Sequence, residues 1–182
     1  MPHVLQFMAQ LHRLGPAVAA ALFAVLWAPT PALAQAQAEA ALKAKLTLSL
    51  TRFVQWPGAA SGDPLRVCLA QRDAAISQAF AEADGQVVNG RRIQVVKAPP
   101  LTGCNVLFVH ASAERVSDLM RAVAGGPILV VGDADGMLNL GGMVEFVPVN
   151  DSIRFDINMA AFRQAQLTVS SQVLKLARQV RE

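Results

Sequence analysis

The chain has 182 residues, 53% of them hydrophobic and 16% charged, with a net charge of +3 at pH 7. That is enough apolar residue to bury the core of one ordinary domain, and it excludes a disordered, highly charged chain. Arg91-Arg92 is the sole basic doublet and no basic run is interleaved with aromatics, so nucleic acid is not an expected partner.

Taken in order, the chain opens with a weakly basic stretch, Met1 to Arg13, and an apolar run from Leu14 to Ala28. The run has the length of a signal-peptide core and falls short of the roughly 20 residues a membrane span needs. Pro29 and Pro31 break it, and Ala32-Leu33-Ala34 forms a cleavage site. Residues 1–34 therefore read as an export leader cut after Ala34, and residues 35–182 as the mature domain. The Ala/Gln-rich segment Ala34 to Ala41 is expected to fray. Ala38 to Trp56 reads as the first helix: Leu42, Leu46, Leu50, Phe53 and Val54 recur at helical spacing, Thr47, Thr51 and Gln55 form a polar row, and Trp56-Pro57 ends it.

Leu65 to Ala70 reads as a strand, and Asp73 caps a helix over Ala74 to Ala83 with Ile76, Ala79 and Phe80 inward. Asn89-Gly90 signals a turn before a strand at Ile93 to Val96. Cys104 to His110 is a nearly continuous apolar run, as in a buried central strand. Ser112 is placed to cap a helix over Ala113 to Ala124, and Ile128 to Val131 reads as a second all-apolar strand. Asp133 and Asp135 then fall in a polar turn.

Gly141 to Asn158 reads as a hairpin around Asn150-Asp151, two residue types that tolerate positive φ. Pairing outward sets Pro148 against Ile153, Phe146 against Phe155 and Val144 against Ile157 on one apolar face. Glu145 then faces Asp156 on the other, with Arg154 diagonal and offsetting the acid pair. A short helical turn at Ala160 to Gln164 follows, and Ser170 caps a last helix over Ser171 to Arg181. The whole reads as a single α/β domain with Rossmann-like layering: a mostly parallel central sheet, helices on both faces and a C-terminal antiparallel hairpin.

Candidate chemistry is sparse. Gly-x-Ser-x-Gly, Gly-x-Gly-x-x-Gly and P-loop patterns are absent, and no residues supply nucleophile, base and oxyanion donor together, so neither enzyme activity nor a cofactor is expected. His3 and His12 leave with the leader, which leaves His110 without histidine partners for a metal site. Cys68 and Cys104 are the only cysteines; in an exported protein a disulfide between them is favoured over two buried thiols. Trp56 is either a groove plug or a recognition anchor. Glu145, Arg154 and Asp156, on the hairpin's outer face, are candidate partner contacts. His110 and Asp133, at strand ends, are an alternative small-molecule site.

Several stretches together carry a resemblance: Phe53-Val54-Gln55-Trp56-Pro57, Leu65-Arg66-Val67-Cys68-Leu69, Val88-Asn89-Gly90-Arg91-Arg92-Ile93, Cys104-Asn105-Val106-Leu107-Phe108-Val109, Gly141-Gly142-Met143-Val144-Glu145-Phe146, Ile153-Arg154-Phe155-Asp156-Ile157-Asn158 and Leu167-Thr168-Val169-Ser170-Ser171-Gln172-Val173-Leu174. In order and spacing the set resembles the YfiR family of small periplasmic proteins. The resemblance implies a non-enzymatic repressor of an inner-membrane diguanylate cyclase that binds the cyclase's periplasmic sensor domain. Release, in part by an outer-membrane lipoprotein, would raise cyclic di-GMP and favour biofilm. It also implies a Cys68–Cys104 bond and a capacity for homodimers. Some relatives carry a second cysteine pair near the hairpin, which this chain lacks.

Overall fold

The structure, a computed structural model, describes residues 31–58, 62–150 and 152–182. The expected leader lies outside the described residues except for Pro31 to Ala34, which open the first helix. Residues 37–182 form one folded unit.

In chain order the elements are α1 (Pro31–Thr51), β1 (Val54–Gln55), β2 (Leu65–Ala70), α2 (Ala74–Ala81), β3 (Val87–Val88), β4 (Arg91–Lys97), β5 (Val106–Val109), α3 (Val116–Val123), β6 (Leu129–Gly132), a 3-10 turn (Met137–Leu140), β7 (Val144–Val149), β8 (Ser152–Asn158), α4 (Met159–Gln164), β9 (Thr168–Val169), α5 (Ser171–Leu176) and β10 (Gln179–Arg181). The main sheet has eight strands in the order β10-β8-β7-β6-β5-β2-β4-β3. Strands β4, β2, β5, β6 and β7 run parallel. In order of appearance they follow the 2-1-3-4-5 arrangement of one class of doubly wound sheets, with the topological switch between β2 and β5.

The expected layering holds. Strand side chains alternate between two apolar clusters. Val67, Val106, Phe108 and Val131 face one that includes Ala44 and Leu50 of α1, Ile76 and Phe80 of α2 and Phe162 of α4. Cys68, Leu107, Val109 and Val130 face the other, covered by Leu119, Met120 and Val123 of α3. The β7–β8 hairpin has the register read from its period-two pattern: Val144 faces Ile157, Phe146 faces Phe155 and Pro148 faces Ile153. Asn150 takes the positive φ of 52° that the tight turn requires. Asn89 and Gly90, both at positive φ, close a second hairpin, which joins β3 to β4.

Several local expectations change. The Ala/Gln-rich segment does not fray but belongs to α1. That helix ends at Thr51 and not at Trp56-Pro57, because the following residues leave it to pair as β1 with β9, Val54 opposite Val169. Its buried side is Ala40, Ala44, Thr47, Leu50 and Thr51, while Leu42 is exposed. The row read as polar packs inward because both hydroxyls are satisfied within the helix: Thr47 Oγ1 donates to Lys43 O at 2.8 Å and Thr51 Oγ1 to Leu48 O at 2.6 Å. Helix α3 starts at Val116 without a side-chain cap. Ser112 Oγ instead accepts from Arg72 N–H at 2.9 Å.

The last helix stops at Leu176, and Gln179 to Arg181 pair in parallel with Asp156 to Asn158. Leu176 and Val180, which would continue the apolar stripe of Val173 in a helix running to Arg181, are exposed. Strand pairing wins here because Arg178 N–H donates to Phe155 O at 2.8 Å while its guanidinium engages Asp156.

Cys68 and Cys104 are bonded, with Cα atoms 5.9 Å apart and 36 residues of separation. The bond ties mid-β2 to the turn that enters β5. Replacing both cysteines by serine is expected to lower the unfolding free energy by about 2–4 kcal/mol, read from denaturant midpoints. Reactive thiols in the denatured, unreduced protein would show the bond to be absent.

Candidate functional site

The C-terminal ends of β5 and β6 bring His110 and Asp133 together. Gly132 makes the approach possible: a Cβ there would collide with the Val109 carbonyl oxygen, to which Asp133 N–H donates at 3.0 Å. Asp133 is not in a solvated turn; its side chain is 9% exposed, and that of Lys43 from α1 is 11% exposed. Asp133 Oδ2 accepts from Lys43 Nζ at 2.5 Å, and Oδ1 from Ala111 N–H at 2.9 Å. His110 Nε2 lies 3.6 Å from Asp133 Oδ2. Ser112 N–H donates to His110 Nδ1 at 3.2 Å, which assigns the neutral-ring proton to Nε2, facing the acid. Asp135 is exposed and apart from this cluster. Lys43 thus occupies the carboxylate that a ligand would use, and the set acts as a closed lock between α1 and the strand ends. Among the described residues no group of His, Cys, Asp or Glu is arranged to hold a metal ion.

The hairpin's outer face is partly covered. Glu145 is half-buried and caps the 3-10 turn, Oε2 accepting from Leu138 N–H at 3.0 Å and Oε1 from Gly136 N–H at 3.3 Å. Asp156 is 2% exposed and takes a two-pronged bond from Arg178, whose Nε donates to Oδ1 at 2.8 Å while Nη2 reaches Oδ2. Arg178, and not Arg154, answers the Glu145–Asp156 opposition. The bond to Asp156, then its charge, and lastly the charge of Glu145 hold the guanidinium's pKa above its ordinary value. Of the three residues read as an open face, Arg154 alone is exposed.

At the opposite end of the sheet, four of the resemblance-carrying stretches meet. Trp56 is half-buried, its Nε1 donating to Asn105 O at 3.3 Å, and its ring lies 5.8 Å from the Arg91 guanidinium carbon. Arg91 is 9% exposed; Nε donates to Asp63 O at 2.9 Å, and Nη2 to Pro64 O at 2.8 Å and to Asn105 Oδ1 at 3.1 Å. Asn105 also accepts at Oδ1 from Arg66 N–H and at its carbonyl from Leu129 N–H, both at 2.9 Å. One asparagine therefore joins the entries of β2, β4, β5 and β6. Sequence reasoning singled out Trp56 but missed Arg91 and Asn105; the basic doublet and the Cys104-Asn105 pair were visible without a reason to place them together.

Two predictions follow from these geometries. Arg178→Ala leaves a buried carboxylate unpaired and should free β10, seen as faster amide exchange at Gln179 to Arg181; unchanged exchange would show that the pair does not hold the strand. Burial works against the Lys43 charge, but hydrogen bonds to Asp133 and Glu39 outweigh it, so its pKa lies above the ordinary lysine value. With the folded value raised, its stabilisation is complete below the unfolded pKa of about 10.4 and is lost as pH rises through the folded one. Lys43→Met should therefore lower the melting temperature at neutral pH and flatten its alkaline decline; an unaltered decline would place that pH dependence elsewhere.

No curated protein matches the chain in sequence. A solved structure described as the ABC domain in complex with L-Trp from Streptococcus pneumonia has a similar fold, with a TM-score of 0.52 and 14% identity over 76% of this chain and 60% of that one. The chain thus spans less than two thirds of that structure, and the likeness is one of fold alone. The family model described as YfiR/HmsC-like matches residues 40–178, which include the lock, the hairpin and the Trp56–Arg91–Asn105 cluster. The chain belongs to the YfiR/HmsC-like family.

Proposed function

We propose that the protein is a periplasmic repressor that holds an inner-membrane diguanylate cyclase inactive by binding the cyclase's periplasmic sensor domain, lowering cyclic di-GMP and biofilm formation. The observation that carries this reading is the family match across residues 40–178. At family level it supports a non-catalytic periplasmic regulator of diguanylate cyclases; the cyclase contact, release by an outer-membrane lipoprotein and homodimerisation belong to the proposal. So does export, with the leader of residues 1–34 cut after Ala34 and residues 35–182 forming the mature domain. Within the hairpin, Arg154 is the side chain free to meet the cyclase. Glu145 and Asp156 act behind it by fixing the 3-10 turn and β10. Trp56 offers the uncovered part of its indole as a second contact.

A second reading, a small-molecule sensor site at His110 and Asp133, draws on one observation: the two do meet at strand ends beside the topological switch, where doubly wound folds bind ligands. Lys43 would have to leave Asp133 to admit the ligand.

Deletion of the gene should raise cyclic di-GMP, and an unchanged level under inducing conditions would overturn the repressor reading. In the intact protein Arg154→Glu should relieve repression without altering the melting temperature, because the side chain is exposed and makes no ion pair among the described residues. Full repression by that variant would move the contact off the hairpin.

A further inference from the structure

The Arg91 guanidinium is nearly buried and lacks a carboxylate. Among the described residues no Asp or Glu forms an ion pair with it, and Asp63 offers its backbone carbonyl instead. A guanidinium has five N–H donors. Nε uses its one on Asp63 O, and Nη2 uses its two on Pro64 O and Asn105 Oδ1. Both hydrogens of Nη1 are left without an acceptor among the described residues. Nη1 is also absent from the fully buried, unpartnered atoms, so it opens on accessible space. Arg91 lines a cavity of about 220 Å³, with Trp56 beside it and apolar walls from Val54, Leu65 and Val88. The Trp56 ring lies over the guanidinium. A nearly buried cation with two free donors, in the lining of an apolar cavity, calls for an anion, and a carboxylate oxygen can accept from Nη1.

We infer that this cavity binds a small carboxylate carried on a compact apolar body. The carboxylate accepts from Nη1 of Arg91, the body packs against Val54, Leu65 and Val88, and Trp56 closes one side. The volume lies below that of pockets for drug-sized molecules, so nucleotides and peptides are excluded in favour of short aliphatic or single-ring acids. The inference goes beyond the repressor reading and does not rest on it, since it concerns the isolated protein.

Trp27 and Trp56 are the only tryptophans, and Trp27 lies in the expected leader, so emission from protein purified after export reports on the cavity wall itself. Benzoate and isovalerate are the probes, with benzamide and isovaleramide as neutral counterparts of the same shape. At least one acid should shift the Trp56 emission saturably and raise the melting temperature, while its amide does neither at equal concentration. Gln55 is exposed on the cavity wall, so Gln55→Glu adds a negative charge there without removing any bond of Arg91. It should weaken acid binding about tenfold or more while the free protein keeps its melting temperature. Arg91→Lys, which keeps the charge but cannot bond Asp63, Pro64 and Asn105 and reach the ligand at once, should weaken it similarly. No saturable shift with either acid, equal binding of the amides, or undiminished binding by Gln55→Glu would each overturn the assignment.

Discussion

Strands β5 and β6 are buried on both faces, and this constraint organises the molecule. Val106 to Val109 and Leu129 to Gly132 carry no polar side chain. Each large apolar side chain removed from water contributes about 1.5–3 kcal/mol. Such strands need cover above and below, so α1, α2 and α4 collect on one face and α3 on the other. With both faces sealed, polar groups that reach the sheet do so at its ends. One end holds the Lys43–Asp133–His110 lock and the other the Trp56–Arg91–Asn105 cluster. The first is electrically complete. The second is satisfied except at Nη1 of Arg91.

What could be read in the sequence was what short-range periodicity dictates. The hairpin register followed from alternation alone, since one residue of slip would have turned Val144, Phe146 and Ile157 away from the core. The central strands were legible because they lack polar residues. The extent of the end helices was not. Thr47 and Thr51 look polar, yet bonding back to their own helix makes them buriable. Val173 to Val180 keeps a helical apolar spacing, and only the long-range pairing of Arg178 with Asp156 shows why the chain leaves the helix after Leu176. Arg91 was hidden for a similar reason: its partners, Asp63, Pro64 and Asn105, lie 28, 27 and 14 residues away.

The Glu145–Asp156 pair shows how a local conflict became a tertiary feature. Two acids opposed across a hairpin repel, and a diagonal arginine would have been the local remedy. The structure separates their roles. Glu145 turns to backbone N–H groups of the 3-10 turn, and Asp156 is neutralised from the neighbouring strand. The outer side of the hairpin is in this way bound into the fold at both acids, and Arg154 remains open to solvent.

The three residues of β10 occupy the outermost position of the sheet. They are fixed by Arg178 on Asp156, by Arg181 Nη1 donating to Asn139 Oδ1 at 2.9 Å, and, one residue beyond, by Arg163 donating to Glu182 at 2.8 Å. Without them β8 would present its unpaired backbone along seven residues, a template onto which strands of other molecules can add. The C-terminal tail is thus a stopper on lateral growth of the sheet. Chains trimmed before Arg178, or burdened with a bulky fusion directly after Glu182, invite edge-to-edge aggregation.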